Sequence, residues 1–75
     1  MNENIRIKKD IVMFEKNLNK LGIKNKTLTE LQKKTLELSK QYYNDSKYYL
    51  EKKDYFTAFG CINYAHGLLD AIIKF

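Results

Sequence analysis

Hydrophobic and polar positions alternate along this chain with the period of an α-helix in three successive segments. In the first, Ile7, Ile11, Phe14, Leu18 and Leu21 step by four, three, four and three. That spacing lines one face of a helix from about Asn4 to Leu21. Gly22 is placed to end it, with GIKNK as the connecting loop. The second segment opens at TLTE, where Thr27 and Glu30 have the spacing of a capping box, predicting a helix over residues 28 to 51. From there Leu28, Leu31, Thr35, Leu38, Tyr42 and Tyr49 form one stripe, and Leu36, Tyr43 and Leu50 a second beside it. A face that wide can touch two neighbouring helices.

The third segment follows EKKD, with Asp54 as the expected N-cap of a helix over residues 55 to 74. At about 100° per residue, Tyr55, Phe59, Ile62, Leu69 and Ile73 gather on one side, flanked by Ala58, Ala65 and Ile72. The opposite side is made of Gly60, Tyr64, Gly67 and Ala71, and no charged residue occurs from Tyr55 through Leu69. The first two helices keep a polar face, with Lys8, Lys9 and Lys16 on one and Lys33, Lys40 and Lys47 on the other. A helix uncharged all round is normally buried on more than one side. Either the other two helices cover both sides of it, or its back meets a further chain. The second alternative makes Gly60, Tyr64, Gly67 and Ala71 a candidate interface between copies or with a protein partner.

Short connections between three such segments predict an all-α fold, a three-helix up-down-up antiparallel bundle forming one domain over residues 1–75. Composition agrees: there is no proline, and only three glycines interrupt 75 residues. Chains this short are near the lower limit at which a core suffices alone, so stability shared with a partner is expected. The single cysteine, Cys61, excludes an internal disulfide. Together with the lack of a secretory leader pattern, it sets the expectation of a reducing cytoplasm. No apolar run is expected to reach the roughly 20 residues that span a bilayer, so no membrane role is expected.

The net charge is +5, and its distribution matters more than its total. The basic excess belongs to residues 1–26, whereas residues 54–75 are slightly acidic. Lys8, Lys9, Lys16, Lys20, Lys24 and Lys26 make a candidate basic patch for an accessory nucleic-acid-binding role. Thirteen of the fourteen basic residues are lysine, which attracts phosphate but lacks the bidentate fork of arginine. A solvated lysine face is the simpler account. Of the six tyrosines, Tyr42, Tyr43 and Tyr49 fall on inward stripes, leaving Tyr48 and Tyr64 pointing away.

The stretch YYNDSKYYLEKKDYFTAFGCINYAHGLLDA, residues 42–71, resembles an archaeal family of short proteins known as domain of unknown function 357. The likeness rests on the Tyr/Asp/Ser helix end, the acidic turn after Leu-Glu-Lys, and above all Tyr64, Ala65, His66, Gly67, Leu69, Asp70 and Ala71. Leu68 stands where the family often has an aromatic residue. The resemblance implies an archaeal helical-bundle protein and brings no activity, cofactor or partner with it.

His66, the only histidine, is the natural place to look for chemistry. A closed zinc site needs about four ligands. Cys61 lies about 140° around the helix from His66 and does not share its direction. Ser39 or Ser46 on the second helix could in principle meet the imidazole, yet no strained nucleophile turn or glycine-rich oxyanion site accompanies them. A site that clamps a dicarboxylate needs several arginines, and Arg6 stands alone. The expectation is therefore no catalytic site, no metal and no cofactor. His66 is expected to form a structural polar pair with Asp70 on its own helix or with Asp45 across the interface. The function expected is a non-catalytic interaction module that self-associates or docks on a protein partner through its C-terminal helix.

Overall fold

The computed structural model describes residues 2–23 and 27–74, with the backbone alone at Ile23. Three helices follow one another: α1 over Glu3–Ile23, α2 over Glu30–Glu51 and α3 over Tyr55–Lys74. All three pack against each other as an all-α bundle. Arg6 of α1 sits over Phe59 near the start of α3, and Phe14 lies further along beside His66, so α1 and α3 run in the same direction. The far end of α2 returns beside the beginning of α1, which makes α2 antiparallel to both.

Each helix begins where a side chain can satisfy a free amide. Asn2 accepts from the Asn4 amide through its side chain at 2.9 Å, and its carbonyl accepts from Arg6. At α2 the sequence TLTELQ offers two overlapping capping boxes, and the structure uses the second. The Thr29 hydroxyl accepts from the Gln32 amide at 3.1 Å while the Gln32 side chain accepts from the Thr29 amide at 2.9 Å. The box expected at Thr27 and Glu30 is thus displaced by two residues, which leaves Leu28 ahead of the helix, packed against the core. Gly22 does not end α1, which continues to Ile23.

The turn between α2 and α3 is closed by two reverse bonds, from the Lys53 amide to the Leu50 carbonyl at 3.0 Å and from the Asp54 amide to the Tyr49 carbonyl at 2.9 Å. This is the Schellman arrangement, and its left-handed position is held by Lys53 at φ 63°. Asp54 then caps α3, its carboxylate accepting from the Thr57 amide at 3.2 Å. One residue therefore closes α2 and opens α3.

The buried core comprises Ile7, Ile11, Phe14 and Leu21 of α1 with Ala58, Ile62, Ala65, Leu69 and Ile72 of α3. From α2 the fully buried residues are Ser39 and Ser46. Of the two stripes expected on α2, the second, Leu36, Tyr43 and Leu50, packs on the core, as do Leu28, Tyr42 and Tyr49 of the first. Leu31, however, is 74% exposed and Leu38 39%, and the centre of the inward face is rotated onto Ser39 and Ser46. Small residues explain the rotation. Ser39 and Ser46 on α2, and Ala58 and Ala65 on α3, recur at seven-residue spacing with no exposure. Side chains this short let two backbones approach closely, and α2 and α3 form the most extensive pairing in the bundle. Both serine hydroxyls donate within their own helix, to the carbonyls of Leu36 at 2.7 Å and Tyr43 at 2.6 Å, so neither is left unpaired.

By length and composition α3 is long and apolar enough to cross a membrane, contrary to the expectation that no run would be. In this fold its buried side supplies five core residues.

Candidate interaction surfaces

His66 is held by α1. Its Nε2 lies 2.7 Å from the backbone carbonyl oxygen of Asp10. A carbonyl only accepts, so this nitrogen carries the proton. The Phe14 ring meets the imidazole edge-on at 5.7 Å and 83°, and stacks on Tyr43 at 4.8 Å on its other flank. The expected pairing of His66 with Asp70 or Asp45 is not made. Asp45 of α2 lies instead where its charge, with that of Asp54, acts on Cys61, about 140° around α3 from His66. Burial is the larger influence there, and the three together hold the Cys61 thiol protonated above the ordinary range. Among the described residues no group of three His, Cys, Asp or Glu side chains could hold a metal ion. Ser39 and Ser46, the two hydroxyls weighed as nucleophiles, are buried and bonded to carbonyls.

The outer face of α3 is open. Gly60, Tyr64, Gly67 and Ala71 are all exposed, so the other two helices do not cover this side. A β-carbon added at Gly60 or Gly67 would meet nothing within 4 Å. Phe56 stands at one end of the same face with 83% of its surface exposed, and Tyr64 is 51% exposed. The Tyr64 ring packs edge-to-face on Tyr42 of α2 at 4.6 Å. Leu31 and Leu38 lie within about 40° of Tyr42 around α2, so their exposed side chains extend the apolar surface across the edge between the two helices. Phe56, Leu31 and Leu38 escape a reading by spacing alone. Phe56 follows an inward tyrosine, and the two leucines occupy the places that the serines displaced.

A second surface lies on the outside of α1. Lys8, Lys9, Lys16 and Lys20 are exposed there, as expected for the basic patch, while Lys24 and Lys26 lie outside the described residues. Ile5, Val12 and Met13, each about half exposed, stand among these lysines. At about 100° per residue the acids Glu3, Asp10 and Glu15 fall toward the flanks of the helix, leaving its outermost face free of negative charge. Glu15 is engaged there by Tyr43, whose hydroxyl donates to its carboxylate.

The fold and these surfaces define a small helical-bundle protein in which the one imidazole is tied to a neighbouring helix and the open faces are apolar or basic. The chain belongs to the DUF357 family, proteins of unknown function, whose family model matches residues 9–75. That span takes in most of α1 as well as the residues 42–71 that carry the resemblance. A comparison with curated proteins finds no match to the chain.

Proposed function

We propose that this protein is a non-catalytic helical interaction module that associates through the outer face of α3, with a second copy of the chain as its partner. The observation that carries the reading is the exposure of Phe56 and Tyr64 on a helix face without charge from Tyr55 through Leu69, beside the open positions at Gly60 and Gly67. Exposed aromatics in a setting that permits close backbone approach are the usual anchors of a protein interface. Charge favours a second copy. Each chain carries +5, and two copies repel least along the stretch from Tyr55 through Leu69, which has no charged residue; Lys74 stands at the far end of the same face. The reading assigns no catalytic residue, metal or cofactor.

Light scattering over a range of concentrations tests it. The wild-type chain is expected to run as a dimer or larger assembly. Phe56→Ser and Gly67→Glu are expected to yield monomers with unchanged helix content, because neither position is buried within the chain. A wild-type chain that stays monomeric at high concentration refutes self-association.

A further inference from the structure

The edge between α1 and α2 is the least closed of the three helix pairs. It opens as a groove of about 710 Å³ at the end where the start of α1 meets the end of α2. Its apolar surface comes from Val12 of α1, Tyr48 and Leu50 of α2 and Tyr55 of α3, with buried Ile11 in the floor. Lys8 and Lys53 stand around it with Lys47, whose ammonium also donates to the Tyr43 hydroxyl next to Glu15, and Glu51 is the one acid in the lining. Lys8 and Val12 also border the outer face of α1, so the groove continues into the surface carrying Ile5, Lys9, Met13 and Lys16.

A second observation concerns Lys53. Its φ of 63° is a conformation that costs a residue with a β-carbon about 1 kcal/mol and that glycine adopts freely. A lysine here forgoes the cheaper residue at the Schellman position and places a cation on the groove. Backbone strain retained at a rim is a reason to look for what the side chain meets.

We infer that this groove receives an acidic amphipathic helix from a partner protein, its apolar side chains seated between Val12, Tyr48 and Leu50 and its carboxylates facing Lys8, Lys47 and Lys53. The inference does not rest on association through α3, which uses a different face. Charge disfavours the lysine-rich α1 or α2 of a second copy as occupant, and α3 of a second copy brings no acidic face to meet these lysines. Nucleic acid fits less well: phosphate gains nothing from Val12, Leu50 or Ile5, and the rim offers no arginine fork. A bilayer surface is flat, whereas Leu50 and Tyr55 lie in a recess between helices that a partner helix can enter.

The probe is a peptide of about 18 residues, about 27 Å as a helix, with leucines at i, i+3, i+4 and i+7 flanked by glutamates. Backbone amide shifts of the labelled full chain are followed during titration with this peptide, with a scrambled peptide of the same composition, with single-stranded oligothymidylate, and with vesicles of phosphatidylcholine containing phosphatidylserine. The periodic peptide is expected to shift amides within residues 4–13 and 47–55 and to bind at least about tenfold more tightly than the scrambled one. Lys8→Glu combined with Lys53→Glu is expected to weaken it by about tenfold or more, with helix content unchanged, since both side chains are exposed. Gly67→Glu is expected to leave it unaltered. Equal binding of the scrambled peptide overturns the proposal. So do shifts centred on residues 60–71, or a response to the oligonucleotide or the vesicles stronger than that to the peptide. The shift map of the wild-type chain decides even if the double variant fails to fold.

Discussion

The imidazole of His66 donates from Nε2 to the main-chain carbonyl of Asp10, 2.7 Å away and 56 residues earlier in the sequence, and so fastens α3 to α1. The acceptor already belongs to a helix, so its own intrahelical bond survives if the histidine is lost. The expected cost of His66→Ala is therefore that of one net hydrogen bond and an aromatic edge contact with Phe14, about 1–2 kcal/mol. In a chain of this size each kcal/mol lowers the melting temperature by about 4–8 °C. His66→Gln, which keeps a donor at comparable reach, is expected to recover part of the loss. Equal melting of wild type and His66→Ala would show that the bond contributes nothing to stability.

Ser39 and Ser46 set the distance between α2 and α3, which makes enlargement more harmful than deletion. Ser46→Ala removes a hydroxyl bonded only to its own helix and is expected to change stability by less than about 1 kcal/mol. Ser46→Leu must force the closest helix pair apart at a position with no exposure, and is expected to cost about 1–3 kcal/mol or more. Urea denaturation of the two variants checks the order. A neutral Ser46→Leu would mean that the helices have room to spare.

The contrast between α2 and its neighbours shows which parts of this fold are legible in the residues. In α1 and α3 the inward faces are written in Ile, Leu and Phe at helical spacing, and Ile7, Ile11, Phe14, Ile62 and Leu69 are buried as that spacing predicts. In α2 the two innermost positions are serines, which a hydrophobic pattern assigns to solvent, and Leu31 and Leu38 of the first stripe are left outside, although Leu36, Tyr43 and Leu50 of the second pack inward as their spacing predicts. The same limit applies to the candidate surfaces. The open back of α3 announces itself by the want of charge between Tyr55 and Leu69, but Phe56 hides in an aromatic run beside a tyrosine that turns inward. The partner of His66 is a main-chain carbonyl rather than the side chain of Asp70 or Asp45, and a main-chain group carries no signature in the sequence.

Tyr43 lends the bundle a pH dependence at its alkaline end. Burial first, then the hydrogen bond it donates to Glu15, raise its hydroxyl above the ordinary tyrosine value of about 10, although Lys47 pulls the other way. A raised value means that the folded state prefers the neutral phenol. The contribution is fully present below about pH 10 and is lost as pH rises through the raised value. Tyr43→Phe is expected to lower stability near neutrality by no more than about 0.5 kcal/mol, because the bond to Glu15 is exposed and screened by water, and its difference from wild type is expected to shrink above about pH 10. Denaturation midpoints of both proteins from about pH 7 to about pH 11 measure this. A difference that stays constant across that range would show that the phenol gains nothing from staying neutral.

Lys53 is the one described non-glycine residue with positive φ, and glycine in its place should relieve that strain without disturbing the two reverse hydrogen bonds, which use only main-chain atoms. Lys53→Gly is expected to stabilise the fold by about 0.5–1 kcal/mol, the relief being partly offset by the greater freedom of glycine in the unfolded chain. Lys53→Ala keeps the β-carbon and is expected to show no such gain, so the comparison separates backbone strain from loss of charge. The same glycine removes a cation from the rim of the groove between α1 and α2 and is expected to weaken the acidic peptide while strengthening the fold. Thermal melts of the three proteins and peptide titrations run side by side give both readings. If Lys53→Gly melts no higher than Lys53→Ala, the turn carries no strain and the lysine needs no functional reason; if it melts higher and binds the peptide as well as wild type, the cation has no part in the groove.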